Sequence, residues 1–454
     1  MPAARRATSA VSEIQRAVED LLRETGVVAT SLVVGLSGGL DSVVLLHCLT
    51  SLAKRLQLQV FALHVHHGLS ANADAWGRFC DALCRDLSVP FKQVSVQVPR
   101  ASGQGIEAAA RAARYAAFEQ INARAVALAH HQDDQAETLL LQLLRGAGVR
   151  GLSAMPAARV LDSQTGLQLI RPLLRVRRST ITAYAQTQGL SWVEDESNAD
   201  RNFDRNFVRA EILPRMIRRY PATVATLARA ARNMADAAEL LDALAIQDYA
   251  ATAYREDSVD VEALRKMSSA RARNVLRWFI QQRGYPAPQR DQLDEALRQT
   301  LHSGADARQA VTFGDAVLRR HRGRLYLEAA NTDLARDWSQ PWRGEDELLL
   351  PRGFGAVRFQ PVPGSGLSVQ LLLRDGSVLR ARSGGERIRL SPKRPSRTLK
   401  NLLQEAGLPA WQRERLPLLF AGSALVWIPD IGIDYRYAAQ DGEAGVLPEW
   451  LRYE

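Results

Sequence analysis

Ser37-Gly38-Gly39-Leu40-Asp41-Ser42 follows the apolar run Val33 to Leu36 and opens into a second apolar stretch. Adjacent glycines free the backbone, so successive amides can turn toward one anion, and a helix starting near Asp41 aims its positive end at the same point. Ser37 and Ser42 add hydroxyl donors, and Asp41 is the kind of ligand that takes Mg2+ beside a phosphate. The chemistry is that of a phosphate cradle. A plain strand-to-helix turn uses the same residue types, and neither Gly-x-x-x-x-Gly-Lys-Ser/Thr nor Gly-x-Gly-x-x-Gly spacing occurs here.

Three further groups carry chemistry. Glu107, Arg111 and Arg114, just before Tyr115, share one face at helical spacing; a solvated, ion-paired face would look the same. His130-His131-Gln132-Asp133-Asp134-Gln135-Ala136-Glu137 brings together carboxylates and imidazoles ahead of the apolar helix Leu139 to Leu144. Ordinary helix capping uses acidic residues, but this density points to a metal site or a pocket for a cationic group. Asp195 to Asp200, followed by Arg205, Asn206 and Arg209, is either a further polar cluster or a capping turn.

Short β-rich runs at Ser31 to Gly35, Val60 to Val65, Phe91 to Val98 and Ala125 to Ala129 alternate with helix-length segments. That alternation predicts a parallel sheet with crossover helices. Such sheets bind ligands beyond the carboxyl ends of their strands. The glycine-rich turn, His64 to Gly68 and His130 to Asp134 all fall at such ends, so the sheet should gather them at one rim. The whole reads as an α/β fold: a parallel-sheet nucleotide-binding domain over 1–210, a helical domain over 211–335, a linker over 336–366 and a small α+β domain over 367–454. The last contains a basic segment with Arg387, Arg389, Lys393, Arg394, Arg397 and Lys400.

The chain has 454 residues, 46% of them apolar, enough for about three ordinary globular cores. Its 59 basic and 49 acidic residues leave a formal charge of +10, which suits a polyanionic partner, although nearly all the basic residues are Arg and base composition alone could cause that. Cys48, Cys80 and Cys84 lack C-x-x-C spacing and read as buried thiols. With no apolar signal core and no apolar run near the roughly 20 residues of a membrane helix, a soluble cytoplasmic protein is expected. Oligomeric state stays open.

Taken together, these residues resemble the PP-loop of the N-type ATP pyrophosphatases. Within that superfamily the chain is similar to the tRNA(Ile)-lysidine synthetase family, on Ser37 to Ser42, His64 to Leu69, Gly105 to Tyr115, His130 to Thr138, Leu144-Arg145-Gly146, Arg171 to Leu174, Asp195 to Arg209 and Lys400 to Leu418. His66 stands where the family commonly has Asn, and Phe203 where it commonly has Tyr.

The resemblance implies a ligase. ATP would adenylate the C2 carbonyl oxygen of the wobble cytidine in the CAU anticodon of isoleucine tRNA, and the ε-amine of L-lysine would displace AMP, changing codon reading from AUG to AUA. It implies ATP at Ser37, Gly38, Gly39, Leu40, Asp41 and Ser42, Mg2+ on Asp41 and Asp134, an α-phosphate contact from Arg111, with Arg145 a further candidate, and lysine recognition by Glu137. Arg205 and the basic segment from Arg387 to Lys400 would contact tRNA. Rival readings are a tRNA thiolase, an ammonia-dependent synthetase and a noncatalytic RNA-binding protein; the absence of C-x-x-C pairs tells against the first.

Overall fold

The computed structural model describes residues 2–68, 70, 72–98, 106–196, 200–252, 257–302, 310–330, 338–351 and 354–452. Leu69, Gly105 and Ser197 to Ala199 lie outside them, as does the Glu107 side chain. The chain divides into two compact units, Met1–Ala243 and Leu244–Glu454.

In the first unit α1 (Pro2–Glu24) precedes β1 (Ser31–Gly35), α2 (Leu40–Leu56), β2 (Gln59–His66), α3 (Ala73–Asp86), β3 (Phe91–Ser95), α4 (Ile106–Glu119) and β4 (Ala125–Ala127). There follow α5 (Gln132–Leu144), α6 (Val149–Leu152), β5 (Ala158–Asp162), β6 (Leu167–Ile170), α7 (Arg178–Thr187), α8 (Asp204–Phe207), a π-helical turn Val208–Ile212 and α9 (Leu213–Arg219). The long α10 (Thr223–Thr252) leaves this unit for the next. The strands lie in the order β3-β2-β1-β4-β6-β5, parallel except for β5, which runs against β6. The expected parallel α/β architecture is therefore present. The β5–β6 hairpin adds an edge that the alternating strand and helix pattern did not predict.

Strand order reverses between β1 and β4, which pair through Val33↔Val126. Chain connections leave in opposite directions at such a point and open a crevice above the strand ends. β1 and β4 are buried on both faces, as parallel strands in an α/β protein must be. Val43 to Leu46, Cys48 and Leu49 of α2 bury their side chains in the main core. At the end of β1 the Leu128 and Phe118 side chains pack against bare backbone: a Cβ on Gly35 would lie 2.6 Å from Leu128 Cδ2 and 3.2 Å from Phe118 Cζ.

In the second unit, β7 (Ser258–Asp260), α11 (Val261–Lys266), α12 (Ser269–Gln281), α13 (Arg290–His302), β8 (Ala310–Phe313), β9 (Ala316–His321) and β10 (Arg324–Ala329) enclose one core. The segment expected to be helical thus contains a four-stranded antiparallel sheet, β7-β10-β9-β8. Its alternation is obscured in the sequence because Arg319, Arg320 and His321 crowd the end of β9.

Residues 336–366, expected as a linker, contain β11 (Ser339–Trp342), β12 (Glu347–Leu349) and β13 (Ala356–Pro361). After β14 (Leu367–Ser368) come α14 (Val369–Asp375), β15 (Ser377–Arg380), β16 (Arg387–Ile388), β17 (Arg397–Thr398), α15 (Leu399–Glu405), α16 (Ala410–Arg413), β18 (Leu418–Ala421), β19 (Ala424–Ile428), β20 (Gly432–Ile433) and β21 (Gly445–Leu451). They build three antiparallel sheets, β11-β15-β18-β19-β20, β12-β13-β21-β14 and the two-stranded β16-β17. Pro361 and Gly366 mark a turn between β13 and β14 rather than a tether, and a Cβ on Gly366 would lie 2.4 Å from Val446 O.

Candidate active site

The phosphate-cradle turn sits directly on the carboxyl end of β1. Gly38 has φ +85°, a left-handed geometry that favours glycine, and a Cβ there would also lie 2.9 Å from Val193 Cγ2. The Gly38 carbonyl accepts from Val193 N at 3.0 Å. Ser42 Oγ donates to Gly39 O at 2.9 Å and accepts from Ser37 N at 3.2 Å, so the turn is closed on itself. From β2, His64 Nδ1 meets the Leu36 carbonyl at 2.9 Å, which fixes the residue that leads into the turn. Burial lowers the His64 pKa, and the ring is the neutral donor this bond needs. His66 Nε2 meets Asp74 Oδ1 at 3.0 Å.

Across the crevice, β4 leads into α5 through a reciprocal cap. Asp134 N donates to His131 Nδ1 at 3.3 Å, and His131 N donates to Asp134 Oδ2 at 2.9 Å. Accepting through Nδ1 leaves the ring hydrogen on Nε2, which lies 3.7 Å from Asp41 Oδ2. His131 therefore caps α5 on one side and faces Asp41 on the other. Asp133 turns the other way and accepts from Arg178 N, the first turn of α7, at 2.9 Å. His130 is held neutral: burial, outweighing the Asp134 charge, pushes its pKa to about 3.

The carboxylates of α5 meet two arginines of α8 and the π-helical turn. Arg205 donates through Nη2 to Asp134 Oδ1 at 2.6 Å and through Nε to Glu137 Oε2 at 2.8 Å. Arg209 donates to Glu137 Oε1 at 2.6 Å, to Glu137 Oε2 at 2.9 Å and to Asp134 Oδ1 at 3.2 Å. The Glu137 side chain is 2% exposed. Burial opposes ionisation of Asp134, but its contacts with His131, including the bond from the His131 backbone N–H, and the Arg205 guanidinium prevail and hold its carboxyl below the usual range. Asp41 is shifted the other way, upward, since burial outweighs the neighbours that favour its ionised form, Arg178 and Arg209 among them.

The cation pocket inferred from the acidic cluster is filled by the protein's own guanidinium groups. Glu137, expected to meet a lysine ammonium, spends both oxygens on Arg205 and Arg209. Arg205, expected as a tRNA contact, donates to both members of the carboxylate pair. Asp134, expected as a metal ligand, has both oxygens engaged as acceptors, whereas Asp41 Oδ1 is buried without a hydrogen-bond partner and fits a hard cation. Among the described residues no group of three or more His, Cys, Asp or Glu side chains is arranged to hold a metal.

Arg111 is exposed on α4 and donates to Tyr115 Oη at 3.1 Å. Burial of Tyr115 is outweighed by Arg111, Arg171 and Arg159, which lower its phenol pKa. Arg145 pairs with Asp204 at 3.3 Å, outside the carboxylate cluster. In the second unit, Arg387 donates to Ser396 O at 2.7 Å, Arg389 to Pro392 O at 2.8 Å, and Arg397 pairs with Glu405, while Lys393, Arg394 and Lys400 stay exposed. Cys48, Cys80 and Cys84 are buried free thiols.

His131 and Arg209 carry much of the geometry; the sequence reading names them as members of their clusters but gives neither a role of its own. The four-residue spacing of Arg205 and Arg209 was the available signal, because it sets both on one helix face.

Three family models match: a PP-loop domain over residues 10–216, a TilS substrate binding domain over 260–326 and a TilS substrate C-terminal domain over 378–450. A tRNA(Ile)-lysidine synthase from Nitrosomonas europaea is 43% identical over 419 residues, covering 92% of this chain and 91% of the relative. One from Aromatoleum aromaticum is 44% identical over 423 residues, covering 93% and 97%. Among solved structures, a U34-tRNA thiolase from Methanococcus maripaludis aligns over 50% of this chain and 80% of its own, at 16% identity and a TM-score of 0.44. A TilS C-terminal domain aligns over 26% and 99%, at 19% identity and a TM-score of 0.21.

Proposed function

The chain belongs to the tRNA(Ile)-lysidine synthase family, ATP-using PP-loop ligases that form lysidine on isoleucine tRNA, and from that premise we propose a two-step reaction in the crevice between β1 and β4. The C2 carbonyl oxygen of the wobble cytidine attacks the α phosphorus of ATP, and pyrophosphate leaves. The ε-amine of L-lysine then attacks C2, AMP departs with the oxygen, and the amine's proton passes to a carboxylate or water. Codon reading would change from AUG to AUA.

A cytosine carbonyl reacts with an amine only after its oxygen becomes part of a good leaving group, so orienting ATP and dispersing phosphate charge is the main task. The turn from Ser37 to Ser42 is the proposed pyrophosphate cradle. Asp41 is the proposed holder of Mg2+, with Asp134 as a second contact if its acceptor bonds are shared; the ion would supply charge neutralisation on the phosphates. Arg111, exposed on α4, is the proposed α-phosphate contact.

Lysine needs a carboxylate to recognise its ammonium. Since Arg205 and Arg209 occupy Glu137, we assign Glu137 first to orienting those cations, and lysine recognition there requires one of them to yield. The helical segment and the basic segment from Arg387 to Lys400 are proposed to hold the tRNA body by phosphate contacts. The observation carrying the reading is the partnerless, buried Asp41 Oδ1 at the mouth of a phosphate cradle. AMP release and radiolabelled lysine incorporation into an unmodified CAU isoleucine tRNA test it. Equal yields are expected; AMP without incorporated lysine would mean another nucleophile.

A further inference from the structure

Tyr115 gathers three arginines around one ring. Arg111, one turn earlier on α4, donates to its phenol oxygen at 3.1 Å and holds its guanidinium carbon 5.3 Å from the ring centre. Arg159 of β5 sets its guanidinium carbon 5.1 Å from the same ring. Strand register explains that approach. Arg159 pairs with Leu169 of β6, and Leu169 belongs to the core against which Tyr115 packs, so Arg159 falls on the face that α4 covers. A third cation, Arg171, is buried, donates to Pro156 O at 2.7 Å and reaches the phenol as well. Arg171 and Arg111 also act on His130, just past β4, which places the group beside the crevice. Phe118 joins it to β1, lying edge-on to Tyr115 at 6.2 Å and against Gly35. Among the described residues no carboxylate pairs with Arg111, Arg159 or Arg171.

Three like charges beside one ring repel, and a ring face offsets only about 1 kcal/mol for each exposed cation, so the group is short of an anion. A guanidinium fork matches phosphate in both shape and charge. We propose that Arg159, set in place by Tyr115, binds the backbone phosphate beside the wobble cytidine, next to the α phosphate assigned to Arg111. The proposal rests on the tRNA-ligase reading above. An adenylated nucleotide brings two phosphates into the crevice, that of AMP and that of its own backbone, and Arg111 accounts only for the first. β5 is the edge strand of the sheet, three strand spacings or roughly 14 Å from β1. A triphosphate seated on the turn after β1 keeps to that strand, whereas RNA comes in from solvent past the edge, which favours the RNA backbone as the anion at Arg159. Tyr115 touches neither phosphate and is a positioning residue.

The test measures binding of the full-length protein to unmodified CAU isoleucine tRNA across a salt series. A second tRNA carries neutral methylphosphonates at the two linkages flanking the wobble cytidine. Wild type should bind this neutral version about tenfold more weakly. Arg159→Ala should bind native tRNA about tenfold more weakly, with a log–log salt slope shallower by about 0.7–0.9, and should not distinguish the two tRNAs. Its ATP affinity should match wild type. Tyr115→Leu should reproduce the Arg159→Ala slope, and Tyr115→Phe, which keeps the ring beside Arg159, should restore the wild-type slope. Equal methylphosphonate penalties in wild type and Arg159→Ala, or an unchanged slope, would overturn the proposal. So would weaker ATP binding by Arg159→Ala at unaltered tRNA affinity, because the phosphate would then be that of the nucleotide. A wild type that shows the methylphosphonate penalty but incorporates no lysine would refute the ligase chemistry and leave the phosphate contact standing.

Discussion

Replacing Glu137 by Gln removes one negative charge from a site where two guanidinium groups converge. Three charge-assisted bonds of 2.6–2.9 Å reach this side chain, from Arg205 Nε and from Arg209 Nε and Nη2. Breaking one member of a buried ion pair costs about 3–5 kcal/mol. Here the cost is smaller: the arginine side chains are 25% and 29% exposed, and Asp134 still accepts from both. About 2–3 kcal/mol is therefore expected. For a unit of this size each kcal/mol lowers the midpoint by roughly 2–4 °C, so calorimetry should show a drop of about 4–12 °C. A double-mutant cycle with Arg209→Met isolates the pair, and about 1–3 kcal/mol of coupling is expected. Additive single-variant effects, or a midpoint within about 1 °C of wild type, would refute the claim that Glu137 organises the arginines.

Gly38→Ala should abolish measurable ATP binding, because its Cβ meets both a left-handed φ of +85° and Val193 at 2.9 Å. Gly39→Ala, whose Cβ would come no closer than 3.5 Å to Ser37 Oγ, should retain a folded loop; isothermal titration distinguishes them. The three thiols, with pKa pushed by burial to about 12 for Cys48 and Cys80 and about 11 for Cys84, should resist alkylation at pH 8 until the protein unfolds, as intact-mass measurement after iodoacetamide will show. His67 and His130, with folded pKa near 4 and 3 against 6.5 unfolded, bind fewer protons when folded across that window. Stability should therefore rise with pH from about 4 to 6.5 and fall as pH drops, by at most about 1.4 kcal/mol per pH unit for each ring; urea midpoints across that range check the sign.

The first unit was legible because its strands are short, β-branched and separated by helix-length segments. The crevice could be placed from Ser37 to Ser42 and His130 to Asp134, since both follow strands. What could not be read was which carboxylate pairs with which cation. Arg205 and Glu137 are far apart in sequence, and the π-helical turn that carries Arg209 has no clear sequence signal. The antiparallel strands of the second unit were hidden for a different reason. Arg319 and Arg320 break the apolar alternation of β9, yet Arg320 is buried and donates to Thr300 O at 2.9 Å. In the segment expected as a linker, Pro361 ends β13, Gly364 and Gly366 lie in the turn after it, and Val357 and Phe359 nearby are core.

The most direct test of a two-step reaction in the β1–β4 crevice is ATP–pyrophosphate exchange with CAU isoleucine tRNA present and lysine withheld. The two-step account predicts exchange that requires the tRNA, proceeds without lysine and is lost in Asp41→Asn. Exchange without tRNA, or none until lysine is added, would contradict it.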